Sequence, residues 1–331
     1  MKNIQELSPI NEKSYIYALK VFALFSIVSA HCWTIATKTN QINNVFSSIL
    51  SQIGSIGVGI FFILSGYLFF KNKRSFSAFF LNKIKTVMIP WILVGTTVYF
   101  YVFFRKEGVE LNSWINFLLG NGSYLYYLTL LIVFYLMFFY TSKNKVIIYS
   151  TFFISILSIV YTSLGGFGAI NPYMNPLNFM CYFSFGLVIA NKDVLLKIAH
   201  GCAKYKFVLL SIYSILILLV GILGITSGYW GHATLVVQPI AISMIFGFAT
   251  MRFVYDERII NLGMESFAIY LLHTPIAGII TFIFNHYDLW IFTLLRPFIV
   301  IGITFTFIYI YKTIGSKLKI ELFTNKLLGI R

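Results

Sequence analysis

The chain has 331 residues, of which 59% are hydrophobic and 11% charged, and its formal net charge is +15. Soluble domains are about 45–50% apolar and about 25% charged, so this composition excludes a soluble globular protein and indicates an integral membrane protein. The positive charge does not indicate nucleic acid binding, because the basic residues lie in short segments between apolar runs.

Motifs of soluble enzymes and of metal sites are missing from the sequence. The three cysteines, Cys32, Cys181 and Cys202, have the spacing of neither a disulfide framework nor a metal site. The histidines do not converge with them in a ligand pattern, so no metal site is predicted. P-loop, nucleophile-elbow and dinucleotide-binding patterns are also absent from the sequence.

The apolar runs predict a polytopic membrane fold. A polar segment, 1–14, precedes the first run, which is too long for the apolar core of a cleaved signal peptide. Because a spanning helix needs about 20 mostly apolar residues, we predict an all-α integral membrane protein of about ten transmembrane helices. These form one polytopic domain over 1–331 without an appended soluble domain. The predicted spans are 15–36, 53–70, 87–104, 123–141, 145–163, 173–190, 207–226, 233–251, 267–285 and 292–311.

Lysine and arginine are distributed unequally between the two sides that ten spans create. The side holding both termini carries 21 of the 25 basic residues, and the other side carries only Lys38, Arg105, Lys106 and Arg296. Because basic loops remain in the cytoplasm, both termini are predicted to be cytoplasmic.

The first predicted span contains two ionisable side chains, Lys20 and His31. An ionisable group inside a span costs at least ~2.5–3.5 kcal/mol at the bilayer centre, so each one is informative. The two are eleven positions apart, which places them on one helix face about 16 Å apart along the axis. A snorkelling lysine and a neutral histidine packed against another helix would explain them structurally, and a functional pair is the alternative.

The second predicted span and the segment after it combine small residues with a basic cluster. Ser55 and Gly59 form a small-xxx-small pair that allows close helix contact. By itself the cluster is best explained by membrane topology and attraction to anionic lipid, and binding of a cytoplasmic nucleotide that carries several phosphates is the alternative. Its five members, within fifteen residues, are Lys71, Lys73, Arg74, Lys83 and Lys85.

Four segments, taken in chain order, carry a recognisable pattern. The first combines Lys20 with His31, ten residues lying between them. The second, 57–68, contains Phe-Phe-Ile-Leu-Ser-Gly-Tyr, and the third, 79–90, reads Phe-Phe-Leu-Asn-Lys-Ile-Lys-Thr-Val-Met-Ile-Pro. The fourth, 266–273, ends in Tyr-Leu-Leu-His. A weaker likeness lies at 124–128, which reads Tyr-Leu-Tyr-Tyr-Leu.

In order and spacing, these segments resemble the membrane acyltransferase-3 family of bacterial envelope acyltransferases. The likeness extends from residue 15 to about residue 275, and the family also fits the ten-helix count. Lys20 stands where the family usually has arginine. In the basic run of the third segment, Lys83 and Thr86 stand where the family has two arginines, with Lys85 beside them.

The resemblance implies transfer of an acyl group, most often acetyl, from cytoplasmic acyl-CoA to a hydroxyl of a cell-envelope glycan. O-antigen, capsule, exopolysaccharide and lipid-linked sugars are the acceptor types of the family. It further implies a multi-pass protein of the bacterial cytoplasmic (inner) membrane, with membrane lipid, acyl-CoA and a glycan as partners and no nucleic acid. Acetyl-CoA, or another short acyl-CoA, would be a co-substrate, and no cofactor would be permanently bound.

Site roles follow from the same resemblance. His31 is expected to act as the catalytic base, since a neutral imidazole can take the proton of an attacking hydroxyl. Lys20, Lys83 and Lys85 are expected to bind the phosphates of acyl-CoA at the cytoplasmic face. Contacts with the thioester or the acceptor are expected from Ser65, Tyr67 and His273.

Two functions of other classes are compatible with the same residues. Ten spans, intramembrane histidines and glycine-containing helices also suit a transporter or exporter of a glycan or small molecule, although the hydropathy pattern has no internal duplication. A non-catalytic subunit of a polysaccharide synthase is the second alternative. Consumption of acyl-CoA would distinguish an enzyme from both.

Overall fold

The computed structural model describes residues 11–32, 41–103, 110–166, 168, 171–222, 234–284, 290–318 and 327–329. In these ranges the regular structure is entirely helical, which confirms the predicted all-α class. The α-helices of the described ranges are α1 (Glu12–Cys32), α2 (Gln41–Lys71), α3 (Phe76–Lys83), α4 (Ile89–Phe103), α5 (Leu111–Leu119), α6 (Tyr126–Phe138), α7 (Lys145–Ser163), α8 (Met180–Lys192), α9 (Leu195–Ile222), α10 (Thr234–Phe248), α11 (Glu257–Met264), α12 (Ser266–Phe284) and α13 (Trp290–Lys317).

Apolar helices occupy the positions of the predicted spans. Among the described residues, seven helices are long and apolar enough to cross a membrane. Three shorter helices, α6, α8 and α10, lie where the remaining predicted spans fall. The membrane fold is therefore confirmed, whereas the count of ten crossings and the cytoplasmic termini stay predictions. The seven are Glu12–Cys32, Ile49–Lys71, Phe76–Phe103, Lys145–Ser163, Leu195–Val220, Ser266–Ile283 and Ile291–Lys317.

Helix α2 lies at the centre of the bundle and α9 at its periphery. Of the apolar part of each helix, 78% is buried inside the protein for α2 and only 17% for α9. α2 packs along α1 on one side and along α8 on the other. Both contacts are close, because a methyl group at Gly57 would overlap the carbonyl oxygen of Ala23, and one at Gly66 would overlap that of Phe183. The small residues of the second segment are thus required for helix approach.

A π-helical turn, Ile84–Met88, joins α3 to α4. Pro90 explains it, because proline lacks an N–H and its ring clashes with the carbonyl four residues earlier in an α-helix, here that of Thr86. Just before the proline, the Ile89 N–H instead bonds to the Ile84 carbonyl, five residues back. The widened turn carries Lys85 and Thr86 at the end of the basic cluster. Such π turns often occur at functional sites.

An ion pair holds the last two helices together at one end. The Nζ of Lys312 on α13 lies 2.7 Å from Oε1 of Glu265, which directly precedes α12 and is 4% exposed. Because a buried carboxylate without a partner is strongly unfavourable, this pair fixes where α12 begins relative to α13. It thereby positions the residues of α12 that face the rest of the bundle.

Candidate active site

A cavity of about 370 Å³ lies between α1, α2, α3, the π-helical turn, α6 and α12. Lys20 lies within α1, and the other basic lining residues come from the end of α3, the π-helical turn and the segment between α2 and α3. No acidic side chain occurs among the described residues that line it. The basic lining residues are Lys20, Arg74, Lys83 and Lys85, and the apolar wall includes Phe61, Leu64, Leu68, Phe69, Leu128, Leu131 and Phe267.

Three lysines that the sequence predicted to bind phosphate line this one cavity. Lys20 comes from α1, Lys83 from the end of α3 and Lys85 from the π-helical turn. The ammonium group of Lys83 lies 4.8 Å from the ring centroid of Tyr135, which orients it by a cation–π contact. Lys85 lies in the π-helical turn and lines the cavity, so both lysines of the third segment point to the same space.

Ser65 also lines the cavity, at the level of its apolar wall. Its Oγ shares a hydrogen bond of 3.0 Å with the hydroxyl of Tyr127 on α6. Tyr127 is buried and packs against Phe62, with ring centroids 4.7 Å apart. The serine hydroxyl is thus held in place by a rigid partner rather than free to rotate.

His31 and His273, which are 242 positions apart in the chain, face each other inside the bundle. Their ring centroids are 5.0 Å apart, and the ring of Tyr124 lies 6.1 Å from His31 and 5.4 Å from His273. His273 is fully buried, whereas His31 retains some exposure. His31 is therefore the less enclosed of the two rings.

Hydrogen bonds define the tautomer of neutral His273. Its Nδ1 lies 2.6 Å from the carbonyl oxygen of Tyr270, and a carbonyl only accepts, so Nδ1 carries the proton. Nε2 is then an acceptor, and the Thr274 hydroxyl donates to it at 3.2 Å. The backbone of α12 therefore fixes both the orientation and the protonation pattern of this ring.

Tyr270 connects the cavity with the histidine pair. It lines the cavity, and its ring centroid lies 5.6 Å from that of Tyr127 and 5.9 Å from that of His273. His31 and His273 themselves are not among the cavity-lining residues. The lysines predicted to bind acyl-CoA thus line the cavity, and the predicted base lies in an adjoining compartment. Tyr270 belongs to the wall between the two compartments.

Tyr67 is the one predicted site residue that lies apart from both compartments. It is 1% exposed and does not line the cavity. The Nζ of Lys71 lies 5.4 Å from its ring centroid and forms an ion pair of 2.7 Å with Asp193. That ammonium group lowers the pKa of the Asp193 carboxyl below its ordinary value. The suggested role of Tyr67 in substrate contact stays a prediction.

The structure also assigns residues to the site that sequence reasoning left out. The sequence pointed to Arg74 only as one of the five members of the basic cluster, and the structure places it in the lining of the cavity. Tyr124 and Tyr127 lie in the weaker segment 124–128, and Tyr270 lies three residues before His273. Each is an aromatic residue in a chain that is 19% aromatic, so only its position in the fold distinguishes it.

Comparison with known proteins gives one match. The family model of the acyltransferase-3 family, described as an acyltransferase domain, matches residues 13–312. No curated protein and no solved structure shows significant similarity to the chain. The matched range contains the cavity, apart from Gly329, and the histidine pair.

Proposed function

Because the chain belongs to the acyltransferase-3 family, we propose that it transfers an acetyl group from acyl-CoA to a hydroxyl of a cell-envelope glycan. Membership itself supports a membrane acyltransferase that acts on polysaccharides. The identity of the donor, the acyl group and the type of acceptor are the proposed parts.

The observation that carries the proposal is the arrangement of a basic cavity next to a histidine pair. Four basic side chains and no described acidic one surround a space whose inner wall is apolar. Phosphate oxygens of CoA suit the basic part, where charge-assisted hydrogen bonds are strongest. The thin pantetheine arm suits the apolar part, which ends at Tyr270 beside His273.

The reaction joins the acceptor oxygen to the acyl carbon and breaks the thioester bond. His31 takes the proton of the acceptor hydroxyl while its oxygen attacks the thioester carbonyl. The thiolate of CoA then leaves and takes a proton back from His31, so the products are an O-acetyl ester and free CoA. His273, fixed by the Tyr270 carbonyl, acts as the positioning residue for His31.

Ser65 has a separate role in the proposal. Ser65 precedes Gly66, where α2 closely approaches α8. Its hydroxyl forms a hydrogen bond of 3.0 Å with the hydroxyl of Tyr127. A hydroxyl in that position can donate to the thioester carbonyl as negative charge develops on its oxygen. Such preorganised donors are a main source of rate acceleration in acyl transfer.

The test uses membranes or nanodiscs containing the protein, radiolabelled acetyl-CoA and envelope glycan. Wild type should label the glycan, and His31→Ala should not, at equal expression and equal CoA binding. His200→Ala is the matched control, since His200 is an exposed histidine on α9 whose Nδ1 contacts the Leu196 carbonyl. Labelling by His31→Ala at the wild-type rate would remove His31 from the mechanism. Export of glycan without acetyl-CoA consumption would instead support a transporter.

A further inference from the structure

A buried arginine lies at the opposite end of α1 from the basic cavity. Arg296 on α13 is 3% exposed, and its Nη1 lies 3.4 Å from the carbonyl oxygen of Cys32, the residue after His31. Lys20 of the cavity lies twelve residues before Cys32, or about 18 Å along the helix. Lys20, within α1, and Arg296, at the C-terminal end of α1, therefore lie on either side of His31 along the helix.

Arg296 has little compensation for its charge among the residues that the structure describes. Its Nε is buried and has no hydrogen-bond partner in the described part of the chain. The ion pairs of that part join Lys71 to Asp193 and Lys312 to Glu265, so neither involves Arg296. Burial of a charged group without a counter-ion costs several kcal/mol, and one long bond to a carbonyl offsets little of this.

Capping of α1 explains only part of this arrangement. A positive group near the last carbonyls of a helix is favourable, and the bond to Cys32 provides that. A guanidinium, however, has five N–H donors arranged for bidentate contact with an oxyanion. Thr293, one turn earlier on the same helix face, is also buried, at 2% exposure. The single bond to Cys32 therefore leaves most of the donors of this guanidinium without a described partner.

We propose that Arg296 binds an anionic group, phosphate or carboxylate, of the glycan acceptor and so aligns its hydroxyl with His31. This inference rests on the proposed function for the identity of the acceptor. The donor would enter at the Lys20 end of α1, and the acceptor would enter at the Cys32 end. The anion supplies a counter-charge that the described part of the chain does not give Arg296, which makes binding of a charged acceptor more favourable than binding of a neutral one.

The experiment measures anion binding in nanodiscs of phosphatidylcholine, which contain no net anionic lipid. Saturating CoA is present throughout to occupy the basic cavity. Inorganic pyrophosphate is titrated in one arm and glucuronate in the other, and the shift of the thermal unfolding midpoint gives the half-saturating concentration. For at least one anion, this concentration should rise about tenfold or more in Arg296→Gln, and Arg296→Lys should be intermediate.

Lys145→Gln is the matched control, because it removes a positive charge from an exposed lysine at the start of α7, outside the residues that line the cavity and away from Arg296. Its half-saturating concentration should equal that of wild type, and the anion that binds identifies the acceptor group as phosphate or carboxylate. Stabilisation by CoA reports whether each variant is folded. If Arg296→Gln does not fold, Arg296→Lys replaces it in the comparison with wild type. The proposal is overturned if neither anion stabilises wild type, or if Arg296→Gln responds as wild type does. The anion-binding experiment does not require acetyl transfer. Failure of the proposed function would therefore appear only in the labelling experiment.

Discussion

The basic cavity and the histidine pair differ in how their side chains are held. The cavity gathers four basic residues at its rim, among which Arg74 and Lys85 are exposed. The pair is two rings 5.0 Å apart, one of them fully buried and fixed by the α12 backbone. Charge around an anion can be supplied by several residues at once, whereas proton transfer depends on one ring in one orientation. Changes in the cavity should therefore be graded, and changes in the pair should be severe.

The largest effect is expected from His31→Ala. Loss of a general base lowers rates by roughly 10²–10⁴-fold, while binding of acetyl-CoA should remain as in wild type. Rates of glycan acetylation and binding of CoA, measured on the same preparation, test this. A parallel loss of CoA binding would mean that the two compartments are not separate.

The next largest effect is expected from His273→Ala, with His273→Asn as the conservative comparison. An asparagine amide can replace the Nδ1–H that donates to the Tyr270 carbonyl at 2.6 Å. Ala should reduce the maximal rate by about tenfold or more, since it removes the ring that packs against His31 and so loosens the position of the base. His273→Asn should recover part of the lost rate. The comparison fails if both variants keep the wild-type rate, because His273 would then not position His31.

A moderate and additive effect is expected in the cavity. Lys83→Ala or Lys85→Ala alone should raise the KM for acetyl-CoA about two- to fivefold, in line with ~0.3–1 kcal/mol for a charge contact near the surface. The maximal rate should be unchanged, and added salt should reduce the difference in KM between the variant and wild type. Lys83→Arg should match wild type. A drop in the maximal rate for Lys83→Ala, with KM unchanged, would contradict a donor-binding role.

A similar but salt-insensitive effect is expected at the Ser65–Tyr127 hydrogen bond. Each of Ser65→Ala and Tyr127→Phe removes a contact worth about 0.5–1.5 kcal/mol. A double-mutant cycle on the rate should show coupling between them, because the two hydroxyls are 3.0 Å apart. Ser65→Ala alone should lower the maximal rate further than Tyr127→Phe if its hydroxyl contacts the thioester. Strictly additive effects would indicate that each hydroxyl acts independently.

The smallest effect is expected at Asp193→Asn. Lys71 lowers the pKa of the Asp193 carboxyl, so the pair stabilises the protein above the ordinary aspartate pKa, and this is lost as the pH falls through the lowered value. Near neutral pH the variant should retain full acetylation, and its unfolding midpoint should fall only slightly, because the pair is exposed. Thermal unfolding at neutral and acidic pH checks the sign. A large loss of activity would indicate that Lys71 and its neighbour Tyr67 belong to the site.

Sequence patterns located the parts of the site but not their relation. Lys20 and His31 share one helix, so helical periodicity was sufficient to place them on one face. The resemblance gave Lys20, Lys83 and Lys85 a common predicted role, but their joint position around one cavity was found only in the structure. Arg296 was counted only as one of four bases on the less basic side, because charge counting carries no information on burial.

The sequence by itself determined the class of this protein. Long apolar runs must become helices in a bilayer, since every backbone N–H and C=O has to be bonded within its own segment, and the position of the basic residues predicts topology. Tertiary structure decided which residues meet. The 5.0 Å contact of His31 with His273 and the approach of Arg296 to Cys32 join helices that are distant along the chain. Such contacts depend on how helix faces pack, which hydropathy does not encode.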